Sequence, residues 1–438
     1  MTTVSDIGTP ASSGLNHIDA LLASGPGWNW LTPARETLRY TFSLDGGSHE
    51  AGGTHLAGTP VAFNARQQAA AAQALDRLQQ ITGIEFVATA DPAAADLHFA
   101  AVDLVGPTVA GFTSIRSSYR YSGGEVLAYD ADAWVYLDHA EFAAANGNPE
   151  PGTTGYEVLL HELGHAVGLK HPFEGGVRLG SAVDSTQFTL MSYTADGGPH
   201  ADFAPYDVAA LAFLYGGDGL GGALGQGGSG QYLIGTAAAD RITGGRGRDR
   251  LEGSGGDDGI DGGDGIDTAV YARPRTDYQV GPGGSSVRAL AGNEGSDLLQ
   301  RTERIAFADG SLAFDLDGPA GLVARLLGAV FGPDGVANAA YAGIGLAAVD
   351  AGLGGVGLAQ MALDARLGPG FEPTAEITLL YQNLLRRDPQ DDEMGHWLGT
   401  LASGQFTPAS LALMAAELDV NAYNIDLVGL AASGLAFG

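Results

Sequence analysis

The sequence predicts a multidomain α+β chain. A first domain over residues 1–217 is built helix–strands–helix, with two long helices around a twisted mixed sheet; a strand-rich module follows over 218–318, and a small all-α domain over 319–438. Three observations carry this prediction. At 438 residues the chain is longer than one hydrophobic core usually serves. A glycine-rich connection, "GGDGLGGALGQGGSGQ" at 216–231, separates stretches of unlike character. Past residue 319 the composition turns to Ala, Leu and Gly with helical spacing, as in "LVARLLGAVFG", "EITLLYQNLL" and "ASLALMAAELDV".

The elements follow in order. "NARQQAAAAQALDRLQQITG", from 64, predicts a long helix of Ala, Gln and Leu closed by a glycine. "IEFVATA", "ADLHFAAVDL" and "EVLAYDADAWVYLDH" predict strands separated by Gly, Pro or Asp turn signals. "TGYEVLLHELGHAVGLKH" predicts a second helix ending near Gly168, and "HADFAPYDVAALAFLYGG" at 200–217 an amphipathic packing helix. Beyond the connection, "TDYQVGPGGSSVRAL" and "TERIAFADGSLAFDL" predict further strands.

Charge narrows the function classes. The chain carries 51 acidic against 21 basic residues, a formal net charge of −30. A phosphate backbone needs a cationic face, so nucleic acid is not expected as a partner. Such self-repulsion opposes compaction unless cations neutralise it, and divalent cations are the natural candidates. There is no cysteine, which excludes disulfides and thiolate metal sites. The apolar stretches are interrupted by Gly, Asp or Arg, so no membrane span is expected. "MTTVSDIGTP" lacks a basic segment followed by an apolar run, and no N-terminal secretory signal is expected.

"HELGHAVGLKHP", residues 161–172, concentrates the chemistry. His161 and His165 are four residues apart, so on an α-helix both imidazoles leave one face, one turn apart. Two such histidines can hold one Zn²⁺. Glu162 is displaced from that pair but can reach a water on the metal. Gly168 lets the chain leave the helix in a left-handed conformation. The turn can then bring His171 back as a third ligand, and Pro172 stops the helix resuming. Three neutral nitrogens leave a tetrahedral zinc one open position for water. The cation lowers that water's pKa and polarises a bound carbonyl. Glu162 takes the proton and can return it to a leaving amine, the chemistry of metal-assisted peptide hydrolysis. No nucleophilic serine arrangement competes with it. No ligand role is expected for His17, His49, His55, His98, His139, His200 or His396.

This stretch resembles the metzincin signature H-E-x-x-H-x-x-G-x-x-H, with His161, Glu162, His165, Gly168 and His171 at its defining positions. The resemblance implies a methionine turn downstream. "TLMSYT" supplies one, with Met191 expected as an apolar floor beneath the zinc. Met-x-Tyr resembles the astacin and serralysin branches, which implies Tyr193 as a further, swinging zinc ligand. Once displaced, its hydroxyl would help stabilise the oxyanion. The 200–217 segment also resembles the one that closes the serralysin catalytic domain.

Residues 235–270 repeat every nine residues: "GTAAADRIT", "GGRGRDRLE", "GSGGDDGID" and "GGDGIDTAV". Gly235, Gly244, Gly253 and Gly262 open the units. Asp240, Asp249, Asp258 and Asp267 hold the sixth place. Gly247, Gly256 and Gly265 hold the fourth, where Ala238 departs. Ile242, Leu251, Ile260 and Ala269 hold the eighth. These units resemble the G-G-x-G-x-D-x-U-x repeats of RTX proteins. Glycine turns expose backbone carbonyls, the aspartates add carboxylates, and two stacked turns supply the six or more oxygens Ca²⁺ takes. Stacking should pair Asp240 with Asp258 and Asp249 with Asp267, while the eighth-place residues build the spine of a parallel β-roll. Arg246, Arg248 and Arg250 crowd the second unit with positive charge, so about two well-formed calcium sites are expected.

Together the two motifs resemble the serralysin family. The resemblance implies a metzincin zinc-peptidase domain over 1–217, a calcium-binding roll over 218–318, a protein or peptide substrate, and extracellular release through a type I secretion apparatus reading a C-terminal signal. A monomer is expected. Residues from about 321 depart from a short serralysin. "AVFGPDGVANAAYAGIGLAAVDAG" and "LYQNLLRRDPQDDEMGHWLGTLASGQ" resemble helical modules appended to secreted bacterial repeat proteins, which leaves adhesion, surface retention and export open. The alternative is a calcium-dependent surface or adhesion protein whose protease-like domain is non-catalytic; the intact Glu162 favours the enzyme.

Overall fold

The structure, a computed structural model, describes residues 3–8, 12–23, 27–45 and 54–438. His49 lies outside the described residues. The chain divides into two compact units, Met1–Ala238 with Gly244–Leu251, and Ala239–Thr243 with Glu252–Gly438.

In the first unit five strands form one sheet: β1 (Thr37–Thr41), β2 (Glu85–Ala88), β3 (Leu97–Val102), β4 (Gly111–Ser122) and β5 (Glu125–Asp138), in the order β2-β1-β3-β5-β4. All neighbours are parallel except β4, which runs antiparallel to β5 from Gly111↔Leu137 onward and forms one edge. The apolar run in β3 is buried at every position, as a central parallel strand covered on both faces requires. Helix α1 (Ala65–Thr82) starts at a capping box. Asn64 Oδ1 accepts from the amides of Arg66 and Gln67, and Gln67 Oε1 accepts from the Asn64 amide. Gly83 ends it at φ +73°. Helix α2 (Thr154–Ala166) and helix α3 (Pro205–Tyr215) complete the unit.

Trp28 Nε1 donates to the Ala166 carbonyl at 2.9 Å and the Tyr215 hydroxyl to the Val167 carbonyl at 2.6 Å. Two buried rings thus satisfy carbonyls that the end of α2 would otherwise leave orphaned.

In the second unit short strands stack as predicted. Ile260 pairs in parallel with Ile242 on one side and Leu299 on the other, and Ala269 pairs in parallel with Ile305. Every eighth-place residue of the repeat is buried. Tyr278–Val280, Ser286–Ala289 and Ser296–Gln300 extend one sheet by antiparallel pairing, and Gly310–Ala313 pairs antiparallel with Arg304–Phe307. The helix Pro319–Phe331 buries Val323, Leu326, Leu327 and Val330 in the core of the C-terminal bundle.

The expected all-α character of 319–438 fails at Leu435–Phe437, which forms a strand antiparallel to Gly310–Ala313. Without it that strand's outer N–H and C=O groups would be left as an open edge. A three-residue strand has too little alternation for sequence patterning to reveal.

Candidate metal centre

Helix α2 delivers His161, Glu162 and His165 and then stops at a Schellman motif. The Leu169 amide donates to the Gly164 carbonyl and the Gly168 amide to the His165 carbonyl, with Gly168 at φ +108°. The reversed chain is pinned by a neighbouring segment: the Ala23 amide donates to Gly168 O and the Lys170 amide to Leu21 O. Lys170 Nζ donates to the carbonyls of Ala20 and Glu174. The turn carrying His171 is therefore fixed at both ends.

The predicted triad converges: ligand atoms of His161, His165 and His171 all lie within 4.8 Å of one another. His161 Nδ1 donates to the Leu190 carbonyl at 2.7 Å, His165 Nδ1 to the Leu169 carbonyl at 2.9 Å, and His171 Nδ1 to Glu174 Oε1 at 3.0 Å. A carbonyl cannot donate, so the His161 and His165 rings hold a hydrogen on Nδ1, which leaves Nε2 to face the cluster. The Nε2 atoms of His165 and His171 stand 3.2 Å apart. Without a metal, a proton on one of these nitrogens must bridge the pair. Nitrogen ligands at about 2.0–2.1 Å from a tetrahedral zinc are themselves about 3.3 Å apart, so the donor set fits that ion. Burial, then the neighbouring His165, pushes His161 down to about 3, and burial pushes His165 down to about 4, which keeps both rings neutral and able to ligate.

Glu162 is buried, and burial pushes its carboxyl up to about 8. Its Oε2 and its own backbone carbonyl both lie 2.8 Å from Thr113 Oγ1. A hydroxyl has one proton to donate, so Thr113 can serve both oxygens at full strength only when the carboxyl itself is protonated. Gly111, at the start of β4, brings backbone against this group: a Cβ there would fall 2.7 Å from Glu162 Oε1. Beside it opens a cavity of about 460 Å³ lined in part by Gly111, Glu157, Val158, Leu190 and Tyr193.

Met191 is fully buried with its Sδ against Gly164, where a Cβ would sit 2.7 Å from the sulfur. Tyr193 is exposed, its ring centre 4.6 Å from that of His171 and 6.0 Å from that of His161. Burial and the charges of Glu162 and Glu174 raise its phenol pKa. Sequence reasoning missed the groups that hold this loop. Asp207, wholly buried on α3, accepts from Thr189 Oγ1 at 2.6 Å, the Leu190 amide at 2.8 Å and the Ala204 amide at 3.0 Å. Leu190 in turn accepts the His161 proton. A lone aspartate in an apolar helical segment was the available signal. Thr113 and Glu174 carried none.

Outside this centre, histidines are engaged otherwise. His98 stacks on Trp134, and His200 bonds to Glu157. Oxygens of Asp103, Asp138 and Glu141 also cluster, but Asp138 accepts the amides of Leu104, Ala140 and Phe142, a turn-forming role.

The sixth-place aspartates are tied in steps through the stack. Asp258 Oδ1 accepts from the Asp240 amide at 2.8 Å, and Asp297 Oδ1 accepts from the Asp258 amide at 3.0 Å. Asp249 accepts from the amides of Gln231 and Gly245, and Asp267 donates its amide to Glu303. Asp258 Oδ2 is buried with no hydrogen-bond partner, over Gly253, where a Cβ would sit 2.2 Å away. Burial, with Asp297, Asp240 and Asp257 nearby, pushes its pKa up to about 7. An orphaned oxygen among carboxylates fits a bound Ca²⁺. Gly247 and Gly256 take positive φ of +106° and +99°, and Gly265 +150°. Gly262 packs against Asp267 and the Arg301 carbonyl, and Gly244 opens the unit whose Gly245 amide meets Asp249.

The fold and these two sites define a class: a chain with a three-histidine metal centre followed by a glycine–aspartate roll. Comparison with known proteins agrees. The RTX calcium-binding nonapeptide repeat matches residues 234–269 in four copies, and a domain of unknown function matches 366–417. The chain is 29% identical over 182 residues to "Serralysin" of Proteus mirabilis, covering 36% of each chain. It is 30% identical over 171 residues to "Serralysin G" of Dickeya chrysanthemi (36% of this chain, 34% of the relative) and 27% over 186 residues to "Metallopeptidase AprA" of Pseudomonas marginalis (40% and 36%). The matches span about a third of the length of each relative. Over these stretches the chain is similar to serralysins, and it carries RTX calcium-binding repeats followed by an appended helical module. Among the described residues no helix is long and apolar enough to cross a membrane.

Proposed function

We propose that this chain is a secreted zinc-dependent endopeptidase, folded and stabilised by calcium. The facing Nε2 atoms of His165 and His171, with Glu162 buried beside them, carry the reading. Residues 1–217 form the metzincin peptidase domain, 218–318 the calcium roll, and 319–438 the helical domain with its export signal. His161, His165 and His171 would hold the zinc, which supplies Lewis acidity towards a scissile carbonyl and an attacking water.

The chain's own groups do the rest. An extended peptide lies along the β4 edge, at whose start Gly111 lets the strand's own backbone pass against Glu162. Glu162 is the general base, taking the proton of the attacking water and passing it to the leaving amine. Thr113 holds that carboxyl in place in either protonation state. Tyr193, exposed and near His171, would help hold the zinc as a further ligand, and its hydroxyl would donate a hydrogen bond to the oxyanion. Met191 packs beneath the triad through Gly164.

Outside the cell, Ca²⁺ neutralises the aspartates of the roll; inside, where it is scarce, their repulsion keeps the chain unfolded for a type I secretion apparatus. The protein acts as a monomer. Zinc analysis and casein clearing by wild type and Glu162→Ala test the reading. Expected is about one zinc per chain in both, with clearing in wild type alone. Clearing that persists in the variant, or zinc-free wild type after refolding with calcium, would sink it. Zinc retained without clearing would favour the adhesion alternative.

A further inference from the structure

The cavity beside the metal centre is lined by apolar side chains, by Thr186 and Ser192, and by two carboxyl groups, Glu157 and the buried Glu162. Val109, Ala110, Val158 and Leu190 line it, and Glu157 lines it one helical turn before His161. Among the described residues neither arginine nor lysine lines the cavity. Glu157 is held rather than loose: its Oε2 accepts from the His200 amide at 2.7 Å and from His200 Nδ1 at 2.6 Å. Both bonds fall on one oxygen, Oε2, so Oε1 keeps its acceptor capacity. Glu157 sits on α2, the helix that carries the metal-binding face, so its distance from the reacting atoms is fixed by helix geometry rather than by a loop.

We infer that Glu157 makes this cavity a pocket for a cationic side chain, so that the preferred substrates carry lysine or arginine next to the bond that is cut. A lysine or arginine lays its methylene stem along Val109, Val158 and Leu190 and ends in a charged donor within reach of Glu157. An aliphatic side chain could fill the same walls but would cover the carboxylate without pairing it, and a glutamate would place like charges together. His200 acts as a positioning residue, fixing the rotamer of Glu157. The inference rests on the peptidase reading.

The test uses the full chain refolded with calcium and zinc, and internally quenched peptides identical except for Lys, Arg, Leu or Glu on either side of the cleaved bond, which mass spectrometry locates. Wild type should cleave the Lys and Arg peptides with a kcat/KM about ten- to hundred-fold above the Leu peptide, as expected for a charge-assisted bond. In Glu157→Gln that ratio should collapse towards one, and Glu157→Arg should prefer the Glu peptide. A folding defect lowers every rate but cannot invert a preference. As a readout independent of turnover, Glu162→Gln should bind uncleaved Arg peptide more tightly than Leu peptide by fluorescence anisotropy. Cleavage that ignores charge, or a preference unmoved in Glu157→Gln, overturns this inference alone. Failure to cleave any peptide overturns the peptidase reading and this inference with it.

Discussion

The Nε2 atoms of His165 and His171 lie 3.2 Å apart while the Nδ1 atoms of both rings donate elsewhere. Without a metal, a proton on one of these nitrogens must bridge the pair; with zinc, both are free to ligate. Zinc should therefore raise stability by mass action, about 4 kcal/mol at a thousandfold excess over Kd. His165→Ala should lose the bound zinc and this gain. Elemental analysis and thermal unfolding with and without a chelator check it; a variant that keeps stoichiometric zinc would rule out this ligand set.

Asp207 acts on the metal at one remove, through Leu190. Asp207→Ala leaves Thr189 Oγ1 and the amides of Leu190 and Ala204 without their acceptor. The expected loss is about 3 kcal/mol in denaturant unfolding. Because Leu190 O orients His161, zinc affinity should drop roughly ten- to hundred-fold in a competitive titration. Unchanged affinity in a destabilised variant would separate the two roles.

Asp258 should change the sign of its effect with calcium. Its Oδ2 is buried and unbonded among Asp297, Asp240 and Asp257. In calcium-free buffer Asp258→Asn removes repulsion and should retain more native signal than wild type. With millimolar calcium it should be the less stable, having lost a ligand. Circular dichroism in both buffers reads this directly, and native-like signal from wild type in a chelator would contradict calcium-coupled folding.

Glu376, in the helix Pro373–Leu385, is wholly buried with no partner for either oxygen, and burial pushes its carboxyl up to about 8 from 4.5. A folded-state pKa above the unfolded one favours folding fully below about pH 4.5, and that advantage is lost as pH rises through 8. Glu376→Gln should thus match wild type near pH 4.5 and exceed it by roughly 3 kcal/mol above pH 8. Hydrogen exchange of the 373–385 helix across that range measures the difference.

Much of this architecture was legible in the sequence because it is periodic or punctuated. The α1 helix had a glycine stop, β3 an apolar run broken only by His98, and the roll a nine-residue phase that put Ile242, Ile260 and Ala269 in the core. The three histidines were legible because helical spacing plus one glycine dictates their convergence. Strands β1 and β4 were not: "TLRYT" is short, and "GFTSIRSSYRYS" is serine-rich and exposed over much of its length, as an edge strand can be. Nor were Asp207, Thr113 and Glu157. Each acts through a partner distant in sequence, and single polar residues leave no pattern.

Pairing of Leu435–Phe437 with Gly310–Ala313 brackets the whole helical bundle within one antiparallel ladder. Contacts so far apart along the chain raise contact order, and their closure entropy must be met before the ladder rewards it. A ribosome adding residues one by one cannot finish this sheet until residue 437 has emerged, so the helices between the two strands are all made before the ladder can close.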